Sequence, residues 1–217
     1  MITEVLRSAF ITRILEASTT LDITVTEQQS AALISYLELL IKWNKAYNLT
    51  AIRDPEEMFT KHILDSLSIT KYITGNTILD VGTGPGLPGI PMAIMFPEKH
   101  FSLLDSNGKK TRFLVQAQLS LALANVEIFN VRVENLPDNK VFDQIMSRAF
   151  TALDNMVNLC KHLLTEKGQF LAMKGLVPEE EIQKLDANFQ VKDINSLTVP
   201  GCFEQRHLIT IEKTHKA

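Results

Sequence analysis

Cysteine is nearly absent. The 217 residues contain two, Cys160 and Cys202, and neither belongs to a CxxC pair. That excludes a disulfide framework and a cysteine zinc site, and both thiols read as small buried hydrophobes. Long apolar runs are missing too. None approaches the length of a membrane span. The N-terminus sets Glu4 and Arg7 among apolar residues, unlike a secretory signal. A soluble, cytoplasmic chain with no membrane partner is expected. An excess of positive charge is lacking. The net charge of -3 argues against indiscriminate nucleic-acid binding but leaves room for a local basic face. Internal repeats and low-complexity tracts are absent.

What is present is ordinarily globular: 45% hydrophobic and 22% charged residues. The length suits one domain with an appendage and a full core. Residues 2–17 place apolar side chains at helical spacing. Thr26 caps a second helix over 27–44, with Leu33, Leu37, Leu40 and Ile41 on one face. Residues 43–50 read as its C-cap and a turn. Asp54-Pro55 opens a third helix carrying Phe59, Ile63, Leu64 and Leu67. Residues 1–74 are therefore expected to form a helical cap. From residue 77 strands alternate with helices. The strands are 77–81, 100–105, 126–131, 142–147 and 168–174, the helices 88–96, 109–123 and 152–164. A short helix starts at Pro178. Two closing strands follow, at 189–191 and 206–212, with a tight link between them expected to make an antiparallel edge. This alternation predicts an α/β, doubly wound, mostly parallel sheet over 75–217.

Glycine is scarce, and four of the nine fall at Gly82, Gly84, Gly86 and Gly89. They follow an apolar strand and precede a helix, with Pro88 and Pro91 in its first turn. Such a turn lets a ligand approach backbone N–H groups closely. Asp105 closes the next strand, where a carboxylate suits a ribose diol. That fits NAD as well as S-adenosylmethionine. Asp80, two residues before the first glycine, tilts the choice. Its negative charge suits a cationic amino-acid moiety and opposes a pyrophosphate.

Ligands in open α/β sheets bind at the carboxyl ends of the strands. Gly86, Leu87 and Ser106 belong to the first two ends, Val133 and Glu134 to the third, Ser147 and Arg148 to the fourth. Val133 and Glu134 are placed to meet an adenine, Ser147 and Arg148 the reacting group. Lys109, Lys110 and Arg112 open a helix whose dipole they oppose, which suggests phosphate contact. Lys174 ends strand five on the same rim. His62, with Asp65 behind it, is placed to face the crevice from the helical cap, although a lone histidine on a helix is more often structural. Nothing points to a metal or to a His or Cys nucleophile.

DVGTGPGLPGIP at 80–91 resembles the bacterial small-subunit ribosomal RNA (guanine-N7) methyltransferase G family, also called glucose-inhibited division protein B. The resemblance continues in WNKAYNLT at 43–50, HILDSL at 62–67, LLDSNGKKTRFL at 103–114, RVENL at 132–136, SRAF at 147–150 and MKG at 173–175. It covers nearly the whole chain and is weakest over the last forty residues. It implies a class I S-adenosylmethionine-dependent methyltransferase. The implied reaction is transfer to N7 of a guanosine in the 530 loop of 16S rRNA. The expected sites are then Arg148 and Ser147 for catalysis. Asp80, Gly82, Gly84, Gly86, Leu87, Asp105, Ser106, Val133, Glu134 and Arg148 are expected around the cofactor. Lys109, Lys110, Arg112, Lys174 and Asn48 are the expected RNA contacts. A monomer acting on rRNA or on a small-subunit particle is expected. The alternatives are a nicotinamide-dependent oxidoreductase and a non-catalytic RNA-binding protein.

Overall fold

The computed structural model describes residues 2–137 and 139–214. α1 (Glu4–Leu21) and α2 (Glu27–Tyr47) come first. Thr26 and Gln29 exchange side-chain and backbone bonds in a capping box that starts α2. The helix buries Leu33, Leu37, Leu40 and Ile41 and stops at Asn48, whose φ of 51° is left-handed. Asn44 holds the turn beyond, donating to the Ile52 carbonyl and accepting from Thr50 N–H.

α3 (Pro55–Met58) starts as expected, with the Asp54 carboxylate accepting from Glu57 N–H. It does not continue as a plain α-helix. Residues Phe59–Leu64 form a π-helical stretch that passes directly into α4 (Asp65–Leu67). Phe59 stacks on Phe10 of α1 at 4.2 Å between centroids.

The strands are β1 (Thr77–Val81), β2 (His100–Leu104), β3 (Val126–Phe129), β4 (Phe142–Arg148), β5 (Leu164–Lys174), β6 (Phe189–Ser196) and β7 (His207–Lys213). They form one sheet in the order β3-β2-β1-β4-β5-β7-β6. β1 to β5 run parallel, and β7 is antiparallel to both its neighbours. The expected antiparallel edge is present, but the link that makes it is not tight. β7 lies inside the sheet, β6 takes the edge, and residues 197–206 link them. The burial explains the order. Leu208, Ile209 and Ile211 of β7 are wholly buried, whereas Gln190, Lys192 and Asp193 of β6 are exposed and suit an edge.

α5 (Gly89–Met95) and α6 (Gly108–Ser120) pack on one face of the sheet together with α1 and α2. α7 (Leu153–Cys160) covers the other face. The two cores follow from alternation: Ile78, Phe101 and Met146 point to the first, Leu79, Leu104 and Ile145 to the second. α8 (Glu179–Ile182) follows β5. No helix among the described residues is long and apolar enough to cross a membrane.

Candidate active site

Asp80 near the end of β1 is wholly buried. Its Oδ2 accepts from Thr83 Oγ1 at 2.6 Å and from Gly89 N–H at 2.8 Å, closing the glycine turn on itself. Oδ1 is buried without a hydrogen-bond partner. Burial pushes this carboxyl up to about 7, although both hydrogen bonds pull the other way. The carboxylate thus braces the turn from behind.

The glycines divide the work. Gly82 has φ +65°, and a Cβ there would overlap the Phe150 ring. Gly86 and Gly89 face packed side chains, and Leu87 is buried in the core. Gly84 differs. At φ +62° a Cβ there would meet nothing nearer than Lys110 Nζ at 3.9 Å. It is the point where a ligand can approach the backbone.

In front of the turn lies a cleft of about 480 Å³ lined by Gly82, Asp105, Ser106, Lys110, Val133 and Glu134, among others. Asp105 is nearly buried. Its Oδ2 accepts from Gly84 N–H at 3.0 Å and lies 3.5 Å from Lys110 Nζ, and its Oδ1 accepts from Asn107 N–H at 2.8 Å. Of the ten residues expected around the cofactor, Gly82, Asp105, Ser106, Val133 and Glu134 line this cleft. Asp80, Gly86 and Leu87 stand behind it, Gly84 adjoins it through its bond to Asp105, and Arg148 lines a second cleft.

Beyond Ala149, which lines both, is a second cleft of about 410 Å³. Ala149 takes a left-handed φ of 54°. Arg148 Nη1 donates to the Lys61 carbonyl at 2.8 Å and to Asp65 Oδ2 at 2.9 Å. Arg206 Nε donates to the other oxygen, Oδ1, at 3.0 Å. One buried carboxylate therefore holds two guanidiniums, from the end of β4 and from the residue just before β7. His62 Nε2 lies 3.0 Å from Thr50 Oγ1, while Nδ1 is buried without a partner. Burial, reinforced by the Arg148 charge, lowers its pKa to about 4, so the ring is neutral at pH 7.

Ser147 lies in neither cleft. Adjacent strand residues face opposite sides of the sheet, so its hydroxyl points to Met156 of α7, 3.1 Å from the sulfur. The expected RNA contacts are dispersed. Lys110 lines the first cleft and Lys174 the second. Lys174 is drawn to Glu181 at 2.8 Å and to the Thr151 carbonyl at 3.2 Å. Lys109 and Arg112 are exposed on α6. Asn48 is exposed as the C-cap of α2, its Oδ1 accepting from Arg53 at 2.6 Å.

Sequence reasoning missed Arg206, Tyr36 and Phe150. Tyr36 of α2 is buried and donates to the Pro85 carbonyl at 2.8 Å, tying the helical segment to the glycine turn. Its partner is forty-nine residues away, so no local pattern signals the contact. Phe150 stands in the quoted SRAF motif, which could have drawn attention to it.

Residues 29–209 match the family model for rRNA small subunit methyltransferase G. A ribosomal RNA small subunit methyltransferase G of Ectopseudomonas mendocina is 51% identical over 203 residues, 93% of this chain and 95% of that protein. One from Pseudomonas aeruginosa is 51% identical over 195 residues, 89% of this chain and 91% of the other. Among solved structures, a SAM-dependent methyltransferase from Aquifex aeolicus superposes with TM-score 0.56 at 19% identity, covering 78% of this chain and 96% of that one. Magnesium protoporphyrin IX methyltransferase from Synechocystis, solved with bound SAM, gives 0.58 at 14% identity, covering 84% and 97%. These two show the fold, that of the class I methyltransferases. All four proteins are methyltransferases, and the oxidoreductase and non-catalytic alternatives find no support among them. The chain belongs to the rRNA small subunit methyltransferase G family.

Proposed function

We propose that this protein transfers the methyl group of S-adenosylmethionine to N7 of a guanosine in the 530 loop of 16S rRNA. The observation that carries the reading is the meeting of two clefts at Ala149. One offers the Asp105 carboxylate, with the open Gly84 bonded to it at its margin. The other is lined by Lys61, Arg148, Lys174 and Arg206, held by Asp65 within it and by acids at its margin. Family membership and the names of the relatives support the substrate class.

The residues of the first cleft fit the cofactor, which supplies a methyl group on positively charged sulfur. Gly84 leaves room for it. The Asp105 carboxylate has about four lone-pair sites, so it retains capacity for ribose hydroxyls beside its present donors. Val133 offers an apolar side to the adenine, and Glu134 an acceptor. In the second cleft, guanine N7 carries a lone pair and no proton, so its methylation leaves no proton for the protein to take. His62, a weak proton acceptor with its pKa lowered to about 4, and the averted Ser147 are consistent with chemistry that needs no base. Alignment of nucleophile and methyl then supplies most of the acceleration. Arg148 is fixed through Nη1 by Lys61 and Asp65. Its other N–H groups would take a phosphate or guanine O6, since a donor aimed at N7 would block the reaction. An rRNA substrate places the activity in the cytoplasm.

The test is methyl transfer from labelled S-adenosylmethionine to small ribosomal subunits, with the product mapped by mass spectrometry. One methyl group on a 530-loop guanine, lost on cleavage chemistry specific for N7-methylguanine, is expected. Transfer to another base, or none from a protein that binds S-adenosylhomocysteine, contradicts the reading.

A further inference from the structure

Phe203 stands fully in solvent, 102% exposed. A lone exposed hydrophobe is ordinary by itself. This one is held out by a braced loop. On its N-terminal side Leu197 and Val199 are buried, and Cys202 N–H donates to the Val199 carbonyl at 2.9 Å. On its other side the Glu204 carboxylate accepts from Lys61 at 2.9 Å and from Arg206 at 2.7 Å. Lys61, Arg206 and Leu197 also line the second cleft. The ring is therefore tied to the rim of that cleft by the cleft's own residues.

The chemistry on either side of this rim is complementary to one kind of ligand. The cleft lining carries four cations, Lys61, Arg148, Lys174 and Arg206, paired with Asp65 inside it and with Glu57, Glu181 and Glu204 beside it. Cations take phosphates, and an exposed aromatic face takes an unstacked base. A duplex keeps its bases stacked and offers none to the ring. We propose that Phe203 is a stacking platform for the base next to the guanosine that enters the cleft, in single-stranded RNA. The proposal rests on the methyltransferase reading above.

The experiment compares the full-length protein with its F203A, F203W and F203L variants. Two quantities are measured: the KM for small-subunit RNA in methyl transfer, and the Kd for a single-stranded 530-loop oligonucleotide. F203A should raise both roughly fivefold to a hundredfold, since stacking contributes about that much per base. F203W should restore them, and its indole fluorescence should be quenched by the oligonucleotide beyond the response of the wild-type protein, which has only Trp43. F203L, apolar but without a π-face, should remain impaired. Affinity for S-adenosylhomocysteine should not move. Wild-type behaviour of F203A in both measurements overturns the proposal. So does rescue by leucine equal to that by tryptophan, the result expected of an apolar protein contact. A wild-type protein that transfers no methyl group defeats the functional reading instead, and the oligonucleotide measurement still decides the role of Phe203.

Discussion

Arg148 reaches the second cleft because β4 alternates, which sends Ser147 to the opposite face. If Arg148 aligns the acceptor, Arg148→Ala should lower the single-turnover rate roughly tenfold to a thousandfold, about 1.4 to 4 kcal/mol. Arg148→Lys should recover only part, since a point charge cannot reproduce the planar fork. Weaker S-adenosylhomocysteine binding with an intact saturated rate would move the contact to the cofactor. Gly84→Val should abolish S-adenosylhomocysteine binding in a folded protein, checked by calorimetry, because its side chain fills the one open approach at a positive φ. His62 gives a pH signature. Its folded pKa of about 4 lies below the ordinary 6.5, so the unfolded chain binds the extra proton. Its contribution is therefore complete above pH 6.5 and is lost as pH falls through that value toward 4, by about 3 kcal/mol at most. NMR titration should find the His62 ring neutral at pH 5.5, and a transition near 6.5 would contradict the burial argument.

At the scale of elements, α2 is the strut of the site. Gln29 donates to the Met95 carbonyl at the end of α5, and Tyr36 donates to Pro85 in the glycine turn. Tyr36→Phe leaves a buried carbonyl unpaired and should cost about 1–3 kcal/mol in urea unfolding. A loss within error would mean that water replaces the hydroxyl. Much of this level was legible. The α2 cap, the Asp54-Pro55 start and the extent of β1 follow from local residue chemistry and periodicity. Two features were not. The π-helical stretch at Phe59–Leu64 carries the same apolar pattern as an α-helix, and its register serves contacts made by Lys61 and Asp65 with distant residues. The position of β7 inside the sheet depends on which neighbours it pairs with, and its own sequence says only that both faces are apolar.

Over the whole molecule, the first cleft was more legible than the second. Its glycine turn and the Asp105 corner are each built from residues close in sequence. The second joins Asp65 to Arg206 across 141 residues, and no motif links them. The net charge of -3 means that RNA contact depends on local basic residues. Each phosphate contact removed should reduce the salt slope of RNA binding by about one unit or less. Charge reversal of Lys109 and Lys110 should therefore flatten that slope, and an unchanged slope and affinity would mark both as merely solvated. The most direct measurement of the central claim is mass mapping of 16S rRNA from cells lacking this protein, complemented by the wild-type chain or by Arg148→Ala. The account predicts that one methyl group disappears from a 530-loop guanosine, returns with the wild-type chain and stays largely absent with the variant. Persistence of that methyl group in the cells lacking the protein would contradict it.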